Sequence, residues 1–375
     1  MAGVYIHIPF CKSRCSYCGF YSTTRTAMQQ RYVGALCREM EMRKAEAGSN
    51  TVETIYLGGG TPSQLSAEQL RQLFLYINKV YGTQLVQEVT IECNPDDITQ
   101  PFVAALSQLP VNRVSMGVQT FSNERLRFLH RRHTAEQVPA AIGLLREGGI
   151  HNISIDLMYG FPDETLADWL GDIRQALSLD VQHVSAYALM YEEGTPLYRM
   201  LEQRQVVEAD EELSLQMYEA LIDMLCTAGY EHYEISNFAR KGFRSRHNSS
   251  YWNRTPYIGL GAAAHSYDGS TRSWNIDDLE QYIEGIESGQ RRAEHEELSA
   301  ATRYNDLVLT ALRTCDGLPL DALSPQERVY CIEQAQRFLT DGQLRLTANG
   351  HLKLTRRGLF VSNMVMSQLM NVDDD

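Results

Sequence analysis

The sequence has no run of eighteen apolar residues, so it offers no candidate for a membrane-crossing helix. It also lacks the succession of charged, apolar and small residues that marks a secretory leader, because the chain enters a strand-like alternation at Val4. These two absences make a cytoplasmic location the expectation. Basic charge is short as well. Thirty-four Lys and Arg stand against 47 Asp and Glu, a net charge of −13, which argues against a general nucleic-acid binder because such proteins need a basic face. Cysteine is sparse through most of the chain. Cys37, Cys93, Cys226, Cys315 and Cys331 are scattered and read as free or buried thiols of a reducing compartment.

The other three cysteines are crowded into Cys11-Lys-Ser-Arg-Cys15-Ser-Tyr-Cys18. Three thiolates this close cannot all pair as disulfides, and soft sulfur ligands suit an iron–sulfur cluster. A [4Fe–4S] cubane held by three cysteines keeps one iron without a protein ligand, and an open metal position points to chemistry rather than scaffolding. A zinc knuckle is the alternative. It would need a fourth ligand at short spacing, and the nearest upstream is His7, on an expected strand.

From residue 4 to about 190 strands alternate with amphipathic helical stretches. The strands are expected at 4–8, 54–58, 88–93, 112–118, 151–157 and 182–188, with helices between them such as 66–80 and 135–147. Six such units predict an α/β fold, an open partial (β/α)6 barrel, with its site at the C-terminal ends of the strands. Polar residues collect at those ends. Gly58-Gly-Gly60-Thr61 follows the second strand, and no Lys succeeds the glycines, so the run is not a phosphate-binding P-loop. Alternation places Thr90, Glu92 and Asn94 on the inward face of the third strand. Arg113, Ser115 and Gln119 take that face on the fourth, and Asn152, Ser154 and Asp156 on the fifth. A buried carboxylate such as Glu92 needs a partner.

The C-x₃-C-x₂-C run after a first strand resembles the radical S-adenosylmethionine (radical SAM) superfamily. The wider Tyr5-Ile-His-Ile-Pro-Phe-Cys11 is similar to the branch that holds oxygen-independent coproporphyrinogen III dehydrogenases and heme chaperones. The resemblance implies the partial barrel, a [4Fe–4S] cluster on Cys11, Cys15 and Cys18, and S-adenosylmethionine chelated to the open iron. An electron passed from the cluster would split the sulfonium to a 5′-deoxyadenosyl radical, and a reductant such as flavodoxin or ferredoxin would supply it. Cofactor contacts are implied at Tyr5, Tyr17, Gly59, Gly60, Thr61, Glu92, Gln119, Arg131, Asp156 and, through its backbone, Ala188. His130 stands where the family usually has a glycine before the arginine, which leaves the local turn open.

Beyond residue 190 come a loop with a short helix to 208, a helix at about 210–228, and three further runs. These are Tyr230-Glu-His-Tyr-Glu234-Ile-Ser-Asn-Phe238, His247-Asn-Ser-Ser-Tyr251-Trp252 and Ile258-Gly-Leu-Gly261-Ala-Ala-Ala-His265-Ser266. Together they resemble the heme-chaperone members more than the dehydrogenases. The dehydrogenases typically carry a further Cys two positions after the third cluster cysteine, where this chain has Phe20. His247, Tyr251, Trp252 and His265 are therefore candidates for holding heme as cargo, since imidazole is a common ligand of heme iron. Recipient haemoproteins are the implied partners, and a homodimer is one open assembly state. The rival readings are a coproporphyrinogen III dehydrogenase and a radical SAM methyltransferase, for which no additional motif is present. Residues 275–296 are expected to be helical, with a boundary near 297 that divides a core of 1–296 from a tail of 297–375. The tail reads as helices at 300–313 and 326–340, a hairpin around Asn349-Gly350 and a helix at 356–369, a small winged-helix-like module. It is expected to pack on the barrel or a partner rather than on DNA. The closing Asp373-Asp374-Asp375 is expected to be disordered.

Overall fold

The computed structural model describes residues 2–47 and 52–371; the closing aspartates lie outside the described residues. Chain order runs β1 (Ala2–Ile8), α1 (Gln29–Met42), β2 (Val52–Gly59), α2 (Ala67–Tyr81), β3 (Glu88–Cys93), α3 (Gln100–Leu106), β4 (Arg113–Gln119), α4 (Asn123–Phe128), α5 (Gln137–Glu147), β5 (Asn152–Tyr159), α6 (Leu166–Ser178) and β6 (His183–Ala188). The six strands pair in parallel and in sequence order. The alternation explains why. In β1, Val4, Ile6 and Ile8 are fully buried among the helices, and Tyr5 and His7 face the other way, into the barrel. Each returning helix covers the sheet with one apolar stripe: α2 buries Leu70, Leu73, Phe74, Ile77 and Val80. Ser66 and Gln69 close a capping box at its start, and Gly82 ends it at φ 68°.

The sheet stays open and continues past both ends of the parallel set. After β6 follow α7 (Pro196–Glu202), α8 (Glu211–Thr227), β7 (Glu231–Glu234), β8 (Asn237–Ala239), α9 (Arg246–Trp252), β9 (Tyr257–Leu260), β10 (His265–Tyr267), β11 (Thr271–Asn275), α10 (Leu279–Glu287) and β12 (Ala293–Glu297). The full order is β12-β11-β10-β9-β1-β2-β3-β4-β5-β6-β8-β7. β9 joins β1 in parallel, and β8 joins β6 antiparallel. The helical expectation for 275–296 is corrected: only α10 is helical, and β11 and β12 pair as antiparallel strands around it. All five residues of β12, Ala-Glu-His-Glu-Glu, are exposed, so the strand is held by backbone bonds and carries no apolar alternation to announce it.

The tail is built from α11 (Ala300–Leu312), β13 (Leu318–Pro319), α12 (Pro325–Thr340), β14 (Leu344–Leu346), β15 (His351–Leu354), α13 (Arg356–Leu359) and α14 (Ser362–Leu369). It has its own apolar cluster, including Tyr304, Val308, Leu312, Phe338, Leu352 and Val365. The single last helix expected at 356–369 is two, broken at Phe360–Val361, where Val361 leaves helical geometry at φ −122°. The tail meets the barrel domain where Arg313 pairs with the buried Glu234 at 2.9 Å and Ile235 N donates to Arg313 O at 3.0 Å.

One buried carboxylate ties the added strands to the barrel. Glu39 on α1 is fully buried. It accepts from Arg43 Nη1 (3.1 Å), Gly261 N (2.8 Å), Asn275 Nδ2 (2.8 Å) and the Tyr282 hydroxyl (2.7 Å). Removing one member of such a network strands the rest without partners. Glu39→Ala is expected to cost about 3–5 kcal/mol, read as a lowered denaturant midpoint for the barrel domain.

Candidate functional site at the C-terminal end of the barrel

The chain leaves β1 at Ile8 and forms the cysteine loop over the strand ends. The loop is pinned along its length: Cys11 N donates to Thr23 O (2.9 Å), Thr23 N to Pro9 O (2.7 Å), Ser16 N to Leu129 O (3.1 Å) and Leu197 N to Ser16 O (2.9 Å). Cys11, Cys15 and Cys18 are free thiols, partly exposed, on one cavity of ≈ 180 Å³. Thr61 Oγ1 lies 3.4 Å from the Cys11 sulfur and Arg131 Nη1 lies 3.5 Å from that of Cys15. Burial pushes the Cys11 thiol up and that of Cys18 to about 11, and a bound metal ion favours the thiolate. No three His, Cys, Asp or Glu side chains among the described residues converge on one point as a single ion requires. Thiolates that each take a different iron of a cubane stand further apart. The zinc alternative also lacks its fourth ligand: His7 is buried, with Nε2 on Tyr21 O (2.9 Å) and Nδ1 on the Tyr5 hydroxyl (3.0 Å).

The glycine run is demanded by close approach. A Cβ on Gly59, which sits at φ 108°, would fall 2.5 Å from the His7 ring, and one on Gly60 would fall 2.8 Å from the carbonyl carbon of Pro9. Only glycine lets the end of β2 cross the end of β1 this tightly. Beside it, Glu92 accepts from the Tyr56 hydroxyl (2.7 Å) and from Gly59 N (3.1 Å). Burial raises its carboxyl to about 7, against the opposing pull of Tyr56. Burial raises Asp156 too, partly offset by bonds from Ser185 and Ser115. Arg131 donates to Asn94 Oδ1 (2.7 Å) and Gly117 O (2.6 Å), and its Nε has no partner among the described residues. His130 takes φ 59°, the left-handed turn a glycine would make, so the turn is kept at a cost of about 1–2 kcal/mol. A bulge between Gly117 and Gln119 puts Gln119 at φ 68° and sends its side chain to the cavity.

The cavity thus brings together Cys11, Cys15, Cys18, Tyr17, Gly59, Gly60, Thr61, Glu92, Gln119, Arg131 and Asp156. Two expected residues are not on its wall. Tyr5 lies deeper in the barrel, stacked 6.2 Å from Tyr56, and Ala188 is exposed at the end of β6. The sequence reading missed Asp97, which accepts from Ser63, Gln64, Arg132 and Lys12 and so ties the glycine run to the cysteine loop; no local pattern marks it. It missed Tyr56 as well, although strict alternation along β2 would have found it.

The heme candidates separate. His247 lies at the opposite, N-terminal end of the barrel, where α9 plugs the strand starts: Glu88 accepts from Arg246 N (2.8 Å) and His247 N (2.9 Å). The His247 ring is fully buried, with one nitrogen on Thr54 Oγ1 and the other on the Tyr251 hydroxyl, both at 2.9 Å. Burial and the nearby Arg113 lower it to about 3. Tyr251 packs edge-on against His247 and Tyr257, and Arg313 covers the Trp252 ring at 5.0 Å. The expectation of an open heme face on this run is corrected: His247 has no nitrogen left for iron unless α9 leaves its seat. His265 is exposed and lines a separate groove.

Three thiols and an anion-and-cation-lined cavity at the mouth of a six-stranded parallel set are the features of one class. Residues 5–176 match the model of the radical SAM superfamily, and the chain belongs to it. Within that class it is 37% identical to the heme chaperone HemW of Bacillus subtilis over 94% of this chain and 97% of that one. It is 33% identical to the mouse mitochondrial radical S-adenosyl methionine domain-containing protein 1 over 98% and 87%. The fold matches coproporphyrinogen III oxidase (HemN) from Escherichia coli with a TM-score of 0.84 over 99% of this chain and 90% of that one, at 21% identity.

Anaerobic reconstitution with iron and sulfide is expected to load about four irons per chain. Changing Cys11, Cys15 or Cys18 to Ala should abolish the cluster's absorbance, and changing Cys37, Cys93, Cys226, Cys315 or Cys331 should not. An intact cluster in the Cys15→Ala protein would refute the assignment.

Glu92 carries a pH signature. Its folded pKa lies above the ordinary value, so the folded state holds the proton more tightly, and ligand-free stability falls as pH rises from 4.5 through about 7. Glu92→Gln should flatten that slope, stabilising the ligand-free protein at pH 8 by about 1–3 kcal/mol. The same change should weaken S-adenosylmethionine binding by about 1–3 kcal/mol. Equal thermal-unfolding profiles of parent and variant from pH 5 to 8 would show the carboxylate is not strained.

Proposed function

We propose that this protein is a heme chaperone, which binds heme and passes it to recipient haemoproteins from a radical SAM core. The observation that carries the reading is end-to-end likeness to HemW at 37% identity. Phe20 supports it: this side chain stands 69% exposed on the cavity rim, where the dehydrogenases carry a cysteine. Cys11, Cys15 and Cys18 hold the [4Fe–4S] cluster. S-adenosylmethionine lies beside it, with its methionine end along Gly59, Gly60 and Thr61. Glu92 and Asp156 take its ammonium or ribose hydroxyls, and Arg131 keeps the Cys15 side of the loop in place. The bound pair supplies one-electron chemistry at an open iron, fed by a reductant such as flavodoxin or ferredoxin. Residues 297–375 form the small second domain, docked on the barrel through Arg313 and Glu234. The protein acts in the cytoplasm, where thiols stay reduced.

Heme added to the reconstituted protein is expected to give a Soret band that saturates at about one heme per chain, and this heme should move to an apo-haemoprotein on mixing. Coproporphyrinogen III, with S-adenosylmethionine and reductant, should yield no protoporphyrinogen. Robust protoporphyrinogen formation on the same batch would replace the chaperone reading with the dehydrogenase.

A further inference from the structure

We propose that heme docks in the groove beside the cysteine loop, with His265 as its axial ligand. This rests on the chaperone reading and names the site for it. The groove has a volume of ≈ 640 Å³, within the range of small-molecule sites. Topology puts it at the reactive end of the sheet. β9 runs parallel to β1, so the turn after Leu260 emerges at the same end as the cysteines. That turn is pressed onto β1: a Cβ on Gly261 would lie 2.7 Å from His7 O. His265 begins β10 directly after it, exposed, with its ring stacked on Trp274 at 5.8 Å and 25°.

Heme asks for an imidazole nitrogen, a flat apolar face and an outlet for two propionates. Most buried histidines do not offer the first, and His133, whose Nδ1 is unpartnered, is closed inside the fold with Nε2 on Val118 O at 3.1 Å. His7 and His247 use both nitrogens, and His183 bonds Ser154 Oγ at 2.7 Å and the Tyr233 hydroxyl at 2.8 Å. The His265 ring makes no hydrogen bond among the described residues. Trp274, nearly parallel to the imidazole, holds that ring in place, and Tyr21, Ala263 and Ile276 give the groove its apolar lining. Tyr21 is three residues past Cys18, and its carbonyl oxygen meets His7 Nε2 at 2.9 Å, so heme and cluster occupy two sides of one loop. Arg292 on the rim suits one propionate. Asp277 and Glu294, also on the rim, turn the other toward solvent. An open rim also suits transfer, because a recipient's own imidazole can reach the iron and replace His265.

The test is heme titration of the reconstituted full-length protein and of its His265→Gly, Trp274→Ala and His247→Ala variants. His265→Gly should weaken binding about tenfold or more and shift the Soret band, and added imidazole should restore the parent band. Trp274→Ala should weaken binding and keep the parent band, and His247→Ala should keep the band. The cluster absorbance should stay unchanged in His265→Gly and Trp274→Ala. A His265→Gly protein with the parent's affinity and band would overturn the site while leaving the chaperone reading intact, as would loss of the band in His247→Ala alone. A parent that takes up no heme would overturn both.

Discussion

Four charged side chains share the interior of the open barrel, and the need to match them in a dry space governs the rest of the site. Glu92 and Asp156 are carboxylates whose ionised form burial disfavours; Arg113 and Arg131 are the cations beside them. Arg113 is fully buried, and its Nε and Nη1 have no protein partner among the described residues. Unpaired charge at this depth is costly. The protein offsets part of the cost with hydroxyls: Tyr56 donates to Glu92, and Ser115 and Ser185 support Asp156. What is left over, including the orphaned Nε of Arg131, is the polarity that a zwitterionic ligand such as S-adenosylmethionine can complete. The ligand-free site is built for binding at the expense of its own stability.

The same economy explains the backbone. Gln119 and His130 hold left-handed φ values that only glycine takes freely. Both lie on the cavity, and each carries the chain to a side chain the site uses, Gln119 itself and Arg131 next to His130. Strain tolerated here is repaid by bonds elsewhere, such as the two that Arg131 makes to Asn94 and Gly117.

The parallel half of the fold was legible because its signals are strong and local. Six alternating strands with amphipathic helices between them leave few other architectures, and the inward parity of Glu92, Ser115 and Asp156 follows from a period of two. The antiparallel additions were not legible for the opposite reason. β8 and β10 are three residues long, too short to show an alternation, and β12 is wholly exposed, with no buried side chain to mark one. Within the site, motif position named cysteines, glycines and inward carboxylates that the fold gathers on one cavity. Tyr5 and Ala188 lie off that cavity's wall, because how far each strand runs past the barrel's rim is not written in a motif.

The two histidines considered for heme show what a linear reading cannot supply. His247 sits beside aromatic residues in a conspicuous run, and His265 in an unremarkable glycine-rich one. Strand direction reverses their rank. The starts of β1, β2 and β3 bring Gly3, Thr54 and Glu88 around His247, so that imidazole faces the end of the barrel where residues serve stability. β9 delivers the turn before His265 to the end where the cysteines stand. A satisfied imidazole in a plug has its bonding capacity spent on holding α9 against the strand starts. An imidazole on an open groove keeps its capacity for iron, and residue type plus neighbours in sequence are the same evidence for both.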